Sequence, residues 1–84
     1  MSRQHHYLKT ETEFYQAAES KEKLFEARRN DRNYTVGDMV YLQEVVRGVP
    51  TGRQLDPMEI TYVLEGDQYG IEPEWCVFQL EPFV

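Results

Sequence analysis

The chain has a single cysteine, no long apolar run and few basic residues, and each scarcity removes a class of protein. Cys76 alone cannot build an internal disulfide; set between Trp75 and Val77, it reads as a buried thiol in a reducing compartment. No segment approaches the roughly 20 apolar residues of a membrane helix, and the opening M-S-R-Q-H-H has no signal-peptide core. A soluble, unprocessed, cytoplasmic protein with no membrane partner is expected. Nine basic residues against fifteen acidic ones, a formal net charge of −6, exclude a general nucleic-acid coat, because sequence-independent binding neutralises many phosphates. His5 and His6 have one distant cysteine for company, so no zinc-like ligand spacing exists; neither a metal nor a cofactor is expected.

What is present is aromatic area. Six Tyr, four Phe and one Trp in 84 residues, at about 150–250 Å² per large ring, suffice for one small core, so residues 1–84 are expected to form a single domain. The charge is also uneven: residues 1–34 carry seven basic and six acidic groups, residues 35–84 two basic and nine acidic. Any contact with a polyanion would therefore be local and N-terminal. Five of the nine basic residues fall in Lys21–Arg32, K-E-K-L-F-E-A-R-R-N-D-R.

Along the chain, His6 to Lys9 is β-compatible, and Thr10 with Glu13 has capping-box spacing for a helix. Phe14, Ala17 and Ala18 would form the apolar face of that helix, which should end between Ser20 and Glu22. From Leu24 the period is two, placing Glu26 and Arg28 on one strand face and Phe25 and Ala27 on the other; the apolar pair is the expected core face. Asn30 to Asn33 is turn composition, and Met39–Val46 is the strongest strand signal, expected to be buried on both faces at its start. Gly48 to Arg53 reads as a hairpin loop. Glu59–Leu64 and Trp75–Leu80 are further strands, with Gln68 to Glu74 a loop between them. The sum is an α+β domain: a small open β-barrel of about five mostly antiparallel strands with one main helix.

Lys23, Glu26 and Arg28 spell K-x-x-E-x-R, the core of the G-x-K-x-x-E-x-R signature of ASCH domains in the PUA-like superfamily. The segments around His6, Leu8 and Lys9, around Val36-Gly37-Asp38 and over Gln68–Glu72 extend the resemblance to residues 6–81, toward a small uncharacterised bacterial and phage branch. The signature glycine falls at Lys21, so the helix must end there without the residue best suited to a left-handed cap.

The resemblance implies an RNA-binding cleft carrying the motif. Arg28 could then hold a phosphate or carbonyl, Glu26 accept from an exocyclic amine, and Lys23 act as a point charge. Asn30, Asp31, Arg32, His6 and Tyr69 are further candidates, Tyr69 as a stacking ring. The plain alternative is a structural ion-pair network, with Asn30 and Asp31 as turn residues and Trp75 in the core. Some ASCH-like proteins are amidohydrolases acting on acylated cytidine derivatives, which makes Lys23 and Glu26 the candidate pair for catalysis. Those enzymes place a hydroxyl where this chain has Glu26, which favours binding over hydrolysis. A third reading gives the acidic C-terminal half a basic protein partner.

Overall fold

The strongest strand signal becomes the spine of the sheet. The computed structural model describes residues 3–83, so Met1, Ser2 and Val84, at the ends of the expected domain, lie outside the described residues. The elements are β1 (His5–Glu11), α1 (Thr12–Glu19), β2 (Phe25–Arg29), β3 (Met39–Val46), β4 (Val49–Gln54), β5 (Met58–Glu65) and β6 (Trp75–Pro82). One edge of β3 pairs in parallel with β1, from His5↔Met39 to Glu11↔Val45. Its other edge is shared: β5 pairs with its first residues and β4 with its last, both antiparallel. The sheet then runs on through β6 to β2, giving the order β1-β3-β5-β6-β2 with β4 set to one side. The expected mixture of one helix and a mostly antiparallel sheet is what forms, curled into a half-barrel. Register shifts between Gln43 and Val45 and between Ile60 and Tyr62 add local twist to that curl.

The inward face is built by alternation. Leu8 on β1, Val40 and Leu42 on β3, Ile60 on β5 and Phe78 and Leu80 on β6 are buried together, and Tyr15 and Ala18 of α1 cover them. Each such side chain contributes about 1.5–3 kcal/mol when taken out of water. Met39 and Val40 are both buried, as the continuous apolar start of β3 requires. Cys76 is fully buried, and burial pushes its thiol above its ordinary value. No helix among the described residues is long and apolar enough to cross a membrane.

Three local expectations are corrected. Most of the expected Gly48 to Arg53 loop is instead the additional strand β4 (Val49–Gln54): the turn is only Arg47-Gly48, with φ of 50° and 81°, the two left-handed residues of a tight hairpin turn. Both N–H groups of that turn donate to the Glu11 carboxylate at 3.0 Å, which fastens the hairpin to the end of β1. The capping box does not form, because pairing with β3 keeps the chain extended as far as Glu11; the Thr10 hydroxyl donates instead to the Leu8 carbonyl. On α1 Ala18 is buried as expected, but Tyr15 rather than Phe14 is the large side chain turned inward, and Phe14 is left half-exposed.

The helix ends where the sequence said it must. Lys21 takes φ +67°, its N–H donating to the Ala18 carbonyl while the Glu22 N–H donates to Ala17. These are the two bonds of a Schellman ending, with lysine at the position that favours glycine.

Candidate functional site

The two outer strands of the half-barrel, β1 and β2, face each other across an open seam. Met39 N–H donates to the Gln4 carbonyl, so even-numbered peptide groups of β1 turn toward β3 and those of Tyr7 and Lys9 turn outward. Open strand edges invite unwanted pairing. Here arginines from the β2 side cover the edge. Arg28 Nη2 donates to the Lys9 carbonyl at 3.0 Å and to Thr10 Oγ1 at 3.4 Å, and Arg32 Nη1 donates to the Tyr7 carbonyl at 3.2 Å. Side chains rather than a backbone ladder span the gap. Above it lies a cleft of about 700 Å³.

The K-x-x-E-x-R residues form the wall of this cleft. Glu26 and Arg28 do share a strand face, but the prediction of which face is inward was reversed: Glu26 is 4% exposed, while Phe25 is 51% exposed and Ala27 is also outward. The reversal has a physical cause. A carboxylate can be buried when cations and hydrogen bonds take both its oxygens, and here Arg28 Nε donates to Glu26 Oε1 at 2.9 Å while Lys23 Nζ donates to Oε2. Lys23 Nζ also donates to the Phe25 carbonyl at 2.7 Å, and it lies 5.1 and 5.9 Å from the centres of the Phe25 and Phe14 rings. Two cations on one carboxylate leave the triad with a surplus positive charge. Among the described residues, Arg28 Nη1 makes no hydrogen bond, so its donors remain for a ligand.

Around the triad the cleft carries Lys9, Arg29 and Arg32 in addition to Lys23 and Arg28, against Glu11, Glu26 and Asp31. Five basic groups face three acidic ones. The apolar walls are Phe14, Phe25 and Trp75, and the guanidinium of Arg29 lies 5.5 Å over the Trp75 ring while pairing with Glu74. Phe14, Trp75 and Arg29 were not expected here, Phe14 and Trp75 having been assigned to the core. Alternation groups Arg29 with Phe25 and Ala27 and sets Trp75 opposite Cys76, but it does not say which group turns outward, so no local signal placed them at the cleft.

The remaining predicted residues divide. Asp31 and Arg32 join the cleft lining. Asn30 Oδ1 accepts the Tyr34 N–H in a turn, the role that turn composition allows it. Tyr69, 87% exposed, stands in the β5–β6 connection and is not part of the cleft lining.

His6 points into the barrel, where its Nε2 meets Asp38 Oδ2 at 2.9 Å and its ring packs against Tyr34. Burial alone would raise the Asp38 carboxyl. The hydrogen bonds from His6, Gln4 N–H and Thr35 N–H outweigh it and hold that group below its ordinary value. Burial pushes the Tyr34 phenol, which also lines the cleft, above its ordinary value, so at neutral pH it stays uncharged. No three His, Cys, Asp or Glu side chains among the described residues converge as a metal-ligand set.

A family model described as a domain of unknown function (DUF3850) matches residues 5–80, from the start of β1 to near the end of β6. No curated protein matches the chain.

Proposed function

We propose that this chain, which belongs to the DUF3850 family of domains of unknown function, is a binding module that takes RNA or a modified nucleotide in the seam cleft. The observation that carries the reading is the cleft's composition: five basic groups against three acidic ones in its lining, in a chain of net charge −6, beside four aromatic rings. Arg28 offers unused planar donors suited to a phosphate or a base carbonyl. Phe14, Phe25 and Trp75 offer faces on which a base can stack. Glu26 serves by holding the two cations in place rather than by reaching the ligand. The reading extends the resemblance to ASCH-type PUA-like domains, whose motif these three residues carry.

A hydrolytic role has less support. Glu26 has a cation on each oxygen and almost no exposure, which leaves no free carboxylate edge at the cleft to activate water.

Trp75 is the only tryptophan and stands at the cleft, so its emission reports occupancy. Titration with single-stranded RNA and with free nucleosides should change that emission saturably, with affinity falling as salt rises. Arg28→Ala should weaken the response at least about tenfold. An emission that ignores every nucleotide probe, or an Arg28→Ala variant that binds as well as the parent, would overturn the proposal.

A further inference from the structure

We infer that the cleft takes a strand of unpaired nucleotides rather than a single one, and that Tyr7 supplies a second stacking place for the adjoining base. The inference rests on the nucleotide reading of the cleft and deepens it. Tyr7 and Tyr41 are register partners on the parallel β1–β3 pair. Their rings lie within 10° of parallel with centres 4.5 Å apart, close to the roughly 4.7–4.9 Å between neighbouring strands. The stack therefore runs across the sheet, along its hydrogen-bonding direction. His5 fixes the inner member: its Nδ1 is hydrogen-bonded to the Tyr41 hydroxyl at 2.8 Å, and its ring stacks on Tyr41 at 5.8 Å.

Because β1 is an edge strand, no further strand continues the stack beyond Tyr7. The next place in it lies over the seam, beside the cleft. Tyr7 is covered by Tyr41 on one side and is 50% exposed overall. A cross-strand tyrosine pair contributes to sheet stability by itself, but that role does not account for the charges that flank the open side. Arg32 is bonded to Tyr7's own carbonyl, and Lys9, the next outward residue of β1, belongs to the cleft wall. Both are placed to meet the phosphates that join a base in the cleft to a base on Tyr7. An aromatic face with cations at its margin is the chemistry that single-stranded nucleic acid recognises without regard to sequence.

The test compares AMP with the pentaribonucleotide A5 on the full chain, using Trp75 emission for both ligands and anisotropy of end-labelled A5. In the parent, A5 should bind at least about tenfold more tightly than AMP. Tyr7→Leu keeps apolar bulk at the edge but removes the ring; it should lose about 5- to 150-fold in A5 affinity and leave AMP affinity unchanged, while Tyr7→Phe retains both. In the parent, the ring protons of Tyr7 and Tyr41 should shift upfield with A5 and stay in place with AMP, a readout that requires no variant to fold. Equal affinity for AMP and A5, unmoved Tyr7 ring protons, or a Tyr7→Leu variant that weakens both ligands alike or neither, would overturn the inference and leave the cleft proposal standing. If neither ligand binds the parent, both fail.

Discussion

Among the described residues three carboxylates are buried, Glu26, Asp38 and Glu44, and the first two are buried differently. Asp38 is enclosed by His6 and by the backbone N–H groups of Gln4 and Thr35, which tie the start of β1 to the turn before β3; every one of its partners belongs to that knot. Glu26 is held by Lys23 and Arg28, two full cations whose other donors reach the β1 edge and the cleft. The first cluster closes on itself. The second carries more positive charge than its carboxylate needs and turns the surplus toward a cavity. Of these two clusters, the one whose cations turn donors toward a cavity is the candidate site, and the one enclosed in the turn before β3 is structural. His6 and Lys23 were both candidates in the sequence, and this difference separates them.

The largest effect expected from that contrast is on stability. Asp38→Ala strands His6 and two N–H groups, and should destabilise the fold by about 3 kcal/mol, a fall of about 12–24 °C in Tm for a domain of this size. Thermal denaturation measures it, and nucleotide affinity of the protein that remains folded should be unchanged. A lost affinity would join the two clusters and break the comparison.

Arg28→Ala should show the reverse balance: a stability loss of about 1–2 kcal/mol with the cleft's ligand response largely gone. Paired denaturation and Trp75 titrations resolve the two effects.

Acid should act through the closed cluster and through Glu44. The Asp38 carboxyl lies below its ordinary value of 3.8 in the fold, and hydrogen bonds from the Thr12 and Thr51 hydroxyls likewise hold Glu44 below 4.5. The unfolded chain then binds these protons first, so the stability they supply is complete above those values. It drains away as pH falls through them toward the lower native ones. Denaturant midpoints followed from pH 7 downward should drop in that window, and Asp38→Asn should flatten part of the slope.

The smallest effect concerns the approach to the triad. Lys21→Gly relieves a left-handed lysine and should stabilise by about 1 kcal/mol, with cleft affinity unchanged; urea denaturation would show the raised midpoint.

Local chemistry made much of this legible. Met39–Val46 declared itself by its continuous apolar start, whereas the left-handed end of α1 at Lys21 was an expectation of the ASCH resemblance, whose signature glycine falls there. Period two correctly grouped Glu26 with Arg28. It could not say which group faces inward, because a fully partnered carboxylate can take the interior place that Phe25 would be given by hydrophobicity alone. The capping box failed for a different reason: the pairing of Thr10 with Glu44 across the parallel ladder is a long-range event that no local spacing records. Pro50 and Gly52 disguised β4, since an edge strand tolerates them where an inner strand would not. Phe14 and Trp75 were assigned to the core because large rings are usually there, and only the curl of the sheet places them at its seam.

Amide chemical-shift mapping with single-stranded RNA tests the central claim most directly, because it reports the whole surface at once. Shifts should concentrate on the facing edges of β1 and β2, on Lys23 and on Trp75, and leave the turn around Asp38 and the exposed loop at Tyr69 unmoved. Perturbations centred on either of those places, or none along the seam, would contradict it.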